Sequence, residues 1–217
     1  MASSPQEQAV ELVIGPHRLQ GILGLPANPR GIVLFAHGSG SGRLSPRNHF
    51  VARHLQEGHV ATLLIDLLEE SESDDRRNVF DIPLLAGRVR EATEWLARQS
   101  LTERLRVGYF GASTGAGAAL QAAAQAPDRV AAVVSRGGRP DLAAAYLPSV
   151  TAPTLLIVGG DDGPVIEMNR EALALLTCPK KLVIVPGASH LFEAPGTLEQ
   201  VAVLALDWFQ RHLPQPS

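Results

Sequence analysis

The chain lacks several features that mark whole classes of proteins. Its 217 residues include one cysteine, Cys178, which excludes a framework of intrachain disulfides. No apolar run approaches the length of a membrane-spanning helix, and the first ten residues lack the cationic and apolar regions of a secretory leader. The net charge of −3 comes from mixed signs and gives no basic surface for nucleic acid. We therefore expect a cytoplasmic protein that binds neither nucleic acid nor membrane.

Hydrophobic residues make up 45% of the chain, which is enough for one sizeable core, so residues 1–217 are expected to form a single domain. Apolar runs alternate with helical segments, which predicts an α/β fold with a mostly parallel sheet and helices on both faces. A tight turn at residues 15–17 predicts an antiparallel hairpin before this sheet. The predicted strands are residues 9–14, 18–25, 31–36, 60–66, 106–110, 130–135, 154–158 and 181–185. The predicted helices are residues 48–57, 84–99, 115–126, 142–146, 165–176 and 198–212, and the polar segment 67–78 is expected to be a solvated loop.

The segment from Arg106 to Gln121 changes from strand to helix around one serine. Gly111-Ala-Ser-Thr-Gly115 has the G-x-S-x-G spacing of a nucleophile elbow, in which small residues two before and two after the serine let strand and helix approach closely. Ser113 would then stand at the edge of the sheet and at a helix N-terminus. The segment therefore predicts a nucleophilic serine.

The glycine-rich segment has two other interpretations. It could be a plain turn, or the G-x-x-x-G-x-G spacing of Gly111, Gly115 and Gly117 could be similar to the cofactor turn of short-chain dehydrogenases. That cofactor turn belongs in a first βα unit whose next strand ends in an acid, whereas this one lies mid-chain and the next strand ends Ser135-Arg136-Gly137. The order of the elements thus favours a nucleophile over a cofactor site.

Later strand exits carry an acid and then a histidine. Residues 159–165, GGDDGPV, follow one predicted strand and contain Asp161 and Asp162, and residues 186–190, PGASH, follow the next and end in His190. Serine is a poor nucleophile until an imidazole takes its proton, and the imidazole needs a carboxylate to orient it. Since the carboxyl ends of parallel strands meet at one edge, these side chains are expected to lie close to Ser113.

The motifs around Ser113, Asp162 and His190 resemble those of the α/β-hydrolase superfamily, and the compact chain is similar to its dienelactone hydrolase family. The resemblance extends from Gly31 to the final helix. It implies an α/β-hydrolase fold with an eight-stranded sheet whose second strand is antiparallel, no large cap domain, and a catalytic triad of Ser113, Asp162 and His190. The members that name the family carry a cysteine nucleophile, so the serine here favours a serine esterase over dienelactone as substrate.

The acid of the triad has more than one candidate. The superfamily pattern of Gly, two residues, Asp, two residues and Val matches Gly159, Asp162 and Val165, which favours Asp162. Asp161 would then be a solvated or capping residue. Asp141 is a further candidate, because some hydrolases draw the acid from the preceding strand exit.

The oxyanion hole requires two backbone N–H donors. Thr114, directly after the nucleophile, supplies one, and Ser39 is assigned as the other because His37-Gly38-Ser39-Gly40 resembles the His-Gly-x turn of the family. The same glycines could simply form a flexible loop. His37 is expected to be a structural histidine rather than a base.

No metal or cofactor is expected. His49, His54 and His59 are neighbours in the sequence but lack an accompanying ligand pattern, so we expect them on a helix surface.

Several residues near the candidate catalytic edge could contact the substrate. Arg136 and Arg139 follow a strand near the catalytic edge and could bind an anionic acyl group, or they could instead pair with Asp141 or with the acidic residues of segment 69–75. Residues that could form the wall of an acyl pocket, or simply lie in the core, are Phe80, Tyr146, Leu191 and Phe192.

The predicted function is a serine hydrolase that cleaves small carboxylic esters or lactones through an acyl-enzyme. A monomer or homodimer acting on a small molecule is expected. A thioesterase or amidase would use the same triad, and a hydrolase-like domain without catalysis, serving in binding or regulation, is the contrasting class. A nicotinamide-dependent oxidoreductase would require the cofactor turn.

Overall fold

The computed structural model describes residues 6–213. The eight strands within this range are β1 Gln6–Ile14, β2 His17–Leu25, β3 Ile32–Ala36, β4 Ala61–Ile65, β5 Val107–Ala112, β6 Val130–Arg136, β7 Thr154–Gly159 and β8 Lys180–Val185. The helices are α1 Pro46–Glu57, α2 Glu70–Ser73, α3 Arg76–Val79, α4 Ile82–Leu96, α5 Thr114–Gln125, α6 Gly163–Leu175 and α7 Thr197–His212, and a kinked 3₁₀ segment covers Pro140–Ser149. None of the described helices has both the length and the apolarity that crossing a bilayer requires.

All eight strands belong to one sheet, in the order β1-β2-β4-β3-β5-β6-β7-β8. β2 pairs antiparallel with β1 and with β4, and the other neighbours are parallel. The predicted mostly parallel sheet with an antiparallel second strand is therefore confirmed. The parallel order places the exits of β3, β5, β6, β7 and β8 along one edge, where the candidate residues lie.

Helices cover both faces of the sheet. Apolar residues of α1 and α7 pack on one face with alternate residues of the central strands, including Phe35, Phe110 and Val134. α4, α5 and α6 pack on the other face, where Leu34 and Val133 of the same strands point. This alternation is the period of two that a strand buried on both faces requires.

Two helices begin at sequence signals. Asp81 caps α4 by accepting a hydrogen bond from the Leu84 N–H at 2.9 Å, as its position ahead of Ile82-Pro83 predicts. Ser45 caps α1, so this helix starts at Pro46, two residues before the predicted start.

The expectation of a plain loop over residues 67–78 was wrong. The short helices α2 and α3 lie there, because Glu69 and Glu72 form a reciprocal capping box and Asp75 accepts a hydrogen bond from the Arg77 N–H. The polar composition of the segment hides these local hydrogen bonds from a hydrophobicity pattern.

Candidate functional site

Ser113 occupies a sharp turn between β5 and α5. Its backbone has φ 50° and ψ −123°, a conformation that is strained for a residue with a side chain. The Ser113 N–H donates to the Arg136 carbonyl at 3.2 Å, and the Ser113 carbonyl accepts from the Arg139 N–H at 3.0 Å. These bonds to the exit of β6 hold the strained serine in place.

Two glycines make this turn possible. A Cβ on Gly115 would lie under 3.0 Å from the carbonyl oxygens of Ala36 and His37, and one on Gly111 would lie equally close to the backbone of Ala116. Since backbone cannot rotate out of the way as a side-chain tip can, a larger residue would push α5 off the sheet. The predicted steric reason for the G-x-S-x-G spacing is therefore present.

Asp162 and His190 are joined directly. Nδ1 of His190 lies 2.6 Å from Oδ2 of Asp162, although the two residues come from the exits of different strands. The Asp162 side chain is 14% exposed and that of His190 is 39% exposed, so the carboxylate lies inside and the imidazole lies at the surface. A carboxylate at Nδ1 fixes the tautomer that leaves Nε2 free to accept a proton.

The other two candidate acids are placed differently. Asp161 is exposed and forms no side-chain hydrogen bond within residues 6–213, whereas its N–H donates to the Ala188 carbonyl at 3.0 Å. Asp141 forms a bidentate salt bridge with Arg139. Only Asp162 of the three contacts His190.

The histidine and the serine approach each other at Gly137. A Cβ at Gly137 would lie 3.6 Å from both Cε1 and Nδ1 of the His190 ring, and Arg136, the preceding residue, accepts the Ser113 N–H. Within the described residues, Ser113 Oγ and the His190 ring do not form a hydrogen bond. Ser113 and His190 therefore both lie against the exit of β6, at residues 136 and 137.

The proposed oxyanion donors lie beside the serine. The Ser39 N–H donates to Thr114 Oγ1 at 3.0 Å, and a Cβ at Gly38 would lie 2.9 Å from Ser113 Cβ. The structure thus brings the turn after β3 to the start of α5, with the Ser39 amide bound to a hydroxyl.

His37 uses both ring nitrogens in the structure. Nε2 accepts from the Leu67 N–H at 3.0 Å, and Nδ1 lies 2.9 Å from the Gly38 carbonyl. Burial lowers the pKa of His37, which favours the neutral ring that can make both bonds. His37 therefore ties the turn after β3 to the exit of β4, in agreement with the structural role expected for it.

A cavity of about 770 Å³ adjoins the candidate oxyanion donors Ser39 and Thr114. Its apolar wall is formed by Leu68, Val79 and Leu85, and its polar wall contains charged residues of β2 and of segment 43–70. The residues that line it are Arg18, Gln20, His37, Gly38, Ser39, Gly40, Ser41, Arg43, Asp66, Leu68, Glu69, Glu70, Ser73, Val79, Leu85 and Thr114. No local pattern in the sequence indicates that β2 and α3 line this cavity, because both lie far along the chain from Ser39 and Thr114 or in another element.

The residues suggested as pocket walls lie outside this cavity. Phe80 is 47% exposed and lies against the Arg76 guanidinium, Leu191 is 39% exposed and Tyr146 is half-buried. Phe192 is buried in the core beside α1 and α7. Any contact of the first three with substrate stays a prediction.

The two arginines after β6 have opposite surroundings. Arg139 donates from Nε and Nη2 to both oxygens of Asp141, at 2.8 and 2.7 Å, and this pairing raises the pKa of Arg139. Arg136 is only 8% exposed, and burial, followed by the charge of Arg47, lowers its pKa to about 10. The alternative in which an arginine pairs with Asp141 therefore describes Arg139 and not Arg136.

Asn169 is a positioning residue that the sequence did not reveal. It lies fully buried on α6, where Nδ2 donates to the Gly138 carbonyl at 3.0 Å and to the Val165 carbonyl at 2.8 Å. It thus fixes the loop that faces His190. A single asparagine on an amphipathic helix carries no signal of this role.

One group of side chains has the composition of a metal site. Ligand atoms of His17, Glu69 and Glu72 lie within 4.8 Å of one another. Arg88 already donates to Glu72 at 2.7 Å, and the Arg18 N–H donates to Glu69 at 2.7 Å. Protein donors therefore already occupy these carboxylates.

The three histidines near α1 do not form a common site. His49 and His54 lie on α1, as expected, but His59 lies after it with φ 61°, because Gly58 ends the helix. The expectation of a helix-surface position was therefore wrong for His59.

Comparison with known proteins identifies the chain's relatives. The sequence model of the dienelactone hydrolase family matches residues 19–213. A Mycobacterium tuberculosis protein named "putative phosphoribosyl transferase" is 59% identical over 214 residues, which are 98% of this chain and 48% of that protein. The chain thus spans about half the length of this curated relative.

Solved structures show the same relationship. The crystal structure of a dienelactone hydrolase from Anabaena variabilis is 59% identical, with a TM-score of 0.95 that covers 97% of this chain and 100% of that one. Est1E from Butyrivibrio proteoclasticus has a TM-score of 0.81 at 16% identity, covering 94% and 98% of the two chains, which is a likeness of fold alone. On the family match and this overall identity, the chain belongs to the dienelactone hydrolase family.

Proposed function

We propose that the protein is a serine hydrolase that cleaves small carboxylic esters or lactones through an acyl-enzyme. The observation that carries the proposal is the 2.6 Å contact of Asp162 with His190 at the same sheet edge as Ser113, which sits in a strained elbow. A strained backbone at a sheet exit is typical of catalytic positions. Family membership adds independent support for hydrolysis.

In the proposed reaction, Ser113 Oγ attacks the carbonyl carbon of the ester while Nε2 of His190 takes the hydroxyl proton. Asp162 keeps the imidazole in the required tautomer and stabilises its positive charge. The carbonyl oxygen becomes an oxyanion, which the N–H groups of Ser39 and Thr114 bind, the Ser39 N–H exchanging its bond to Thr114 Oγ1 for the oxyanion. His190 then gives the proton to the leaving alkoxide, and the acyl group remains on Ser113.

Water completes the cycle. His190 removes a proton from the water as it attacks the acyl carbon, and the Ser113 oxygen leaves and takes that proton back. The products are a carboxylic acid and an alcohol, and a lactone gives both groups on one molecule.

The cavity beside Ser39 and Thr114 is proposed to hold the substrate. Its volume of about 770 Å³ suits a small ester, and its apolar wall at Leu68, Val79 and Leu85 suits a hydrocarbon portion. Charged residues that also line the cavity favour a substrate that carries polar groups. A cytoplasmic location and a monomeric or homodimeric state stay predictions.

The test uses a panel of p-nitrophenyl esters, lactones and thioesters with the wild-type protein and Ser113→Ala. We expect ester or lactone turnover in the wild type and a loss of at least about 10³-fold in the variant. Ser149→Ala, which changes an exposed serine at the end of the 3₁₀ segment, is the matched control and should keep the wild-type rate.

A fluorophosphonate probe checks the nucleophile separately from the substrate. Covalent labelling at Ser113, absent in Ser113→Ala, supports the proposal. A folded wild-type protein that is neither labelled nor active on any substrate would instead favour a non-catalytic domain. Turnover confined to thioesters would support the triad but identify a thioester, not an ester, as the bond that is cleaved.

A further inference from the structure

Two arginines near the candidate site have buried nitrogen atoms without partners. Nε and Nη1 of Arg136 and Nε of Arg47 are buried, and none of them has a hydrogen-bond partner among residues 6–213. No carboxylate in this range forms an ion pair with either residue, although the chain has 22 Asp and Glu residues. Buried guanidinium N–H donors that are left unpaired are unfavourable, because they lose their hydration without gaining a partner.

The fold brings these two side chains to the same space. Arg136 is two residues after Val134 on β6, so strand alternation turns it to the sheet face that α1 covers. Arg47 is one turn before Val51, which packs against that face from α1. The charge of Arg47 is close enough to act on Arg136, and it helps to lower the pKa of Arg136.

The electrostatic field in this space is positive. Arg136 remains charged at neutral pH, since its pKa of about 10 lies well above 7. The N-terminus of α1, which begins at Pro46 beside Arg47, adds the positive end of a helix dipole. An anion placed between the two guanidinium groups would satisfy the buried donors and remove their mutual repulsion.

We propose that Arg136 and Arg47 bind a compact oxyanion, a carboxylate or a phosphate, between the end of β6 and the start of α1. The source is either an anionic group of the substrate, which rests on the proposed hydrolase function, or a free anion from solution. Arg136 directly precedes Gly137, which packs against His190, so the proposed anion would be bound by the strand exit that also contacts the candidate site. Arg139 is excluded from this role because Asp141 already neutralises it.

The first arm of the experiment measures binding without turnover. Thermal unfolding of Ser113→Ala is followed with inorganic phosphate and with sodium chloride at equal ionic strength, which controls for screening. We expect phosphate to raise the melting temperature by at least about 2 °C over chloride, because a ligand of the native state stabilises it. Adding Arg136→Met should abolish this difference, whereas adding Arg139→Met should retain it.

The second arm identifies the source. Values of kcat/KM are compared for two p-nitrophenyl esters of equal length, one with a free carboxylate at the end of the acyl chain and one with a methyl ester there. If the substrate supplies the anion, Arg136→Met lowers the ratio of the anionic to the neutral ester by at least about tenfold. Arg139→Met should leave that ratio unchanged.

The results separate this proposal from the proposed function. Phosphate stabilisation that depends on Arg136, without an Arg136-dependent ester preference, supports a free anion and stands even if no ester is cleaved. The absence of both effects in the parent proteins, or their persistence in Arg136→Met, overturns the site. If Arg136→Met does not fold, Arg47→Met replaces it, with the same expected losses.

Discussion

His190 Nδ1 lies 2.6 Å from Asp162 Oδ2, while the side chain of Asp161, the preceding residue, is exposed and forms no hydrogen bond among residues 6–213. Two neighbouring carboxylates in the segment GGDDGPV thus have different surroundings. If the proposed mechanism holds, only one of them orients the imidazole.

We therefore expect Asp162→Asn to lower kcat by about 10²- to 10⁴-fold, since an amide at this position no longer fixes the imidazole tautomer or stabilises its charge. Asp161→Asn is the control and should stay within about twofold of wild type. Steady-state kinetics on the best ester of the panel, with circular dichroism to check folding, gives the comparison. Equal losses in both variants would contradict the assignment of Asp162.

The close packing at the nucleophile elbow should affect the stability of the fold. Gly115→Ala places a Cβ under 3.0 Å from the carbonyl oxygens of Ala36 and His37, so strand or helix must shift. We expect the free energy of unfolding to fall by about 2–3 kcal/mol in urea titrations. Gly163→Ala has no atom within 4 Å of the new Cβ and should change it by less than about 0.5 kcal/mol. An unchanged stability of Gly115→Ala would show that β3 and α5 do not approach this closely in solution.

The sequence predicted the sheet and the relative order of the candidate residues because both depend on local patterns. Apolar runs with buried residues on both faces mark central strands, and parallel strands necessarily bring Ser113, Asp162 and His190 to one edge. Asp162 and His190 lie in the loops that follow β7 and β8, and their contact is expected because these two strands are neighbours in the sheet.

The surroundings of Arg136 and Arg139 could not be predicted in the same way. Arg139 reaches Asp141 two residues away, which a local pattern suggests, but the burial of Arg136 depends on which helix covers its face of β6. The cavity beside Ser39 also combines segments far apart in the sequence. Such contacts depend on packing between elements, which a single sequence does not encode in any local spacing.

The hydrogen bond from the Ser39 N–H to Thr114 Oγ1 gives a prediction about the oxyanion hole. The hydroxyl holds the turn after β3 against the start of α5, so Thr114→Val should lower kcat by about tenfold with little change in KM. Thr114→Ser keeps the acceptor and should stay within about threefold of wild type. Faster turnover in Thr114→Val would show instead that the hydroxyl competes with the oxyanion for the Ser39 amide.

The burial of His37 should make the stability of the protein depend on pH. Its folded-state pKa is lowered by burial, so below the ordinary value of 6.5 the unfolded chain binds a proton more readily than the folded one. Stability present above pH 6.5 is therefore lost as the pH falls, by at most about 1.4 kcal/mol per pH unit from this residue. Protonation also removes the Nε2 lone pair that accepts the Leu67 N–H. Urea unfolding from pH 8 to pH 5 should show a smaller loss in His37→Asn than in wild type, with His49→Gln, a change of a half-buried histidine on α1, as the control. Parallel curves for wild type and His37→Asn would mean that the ring does not need to stay neutral to hold this turn.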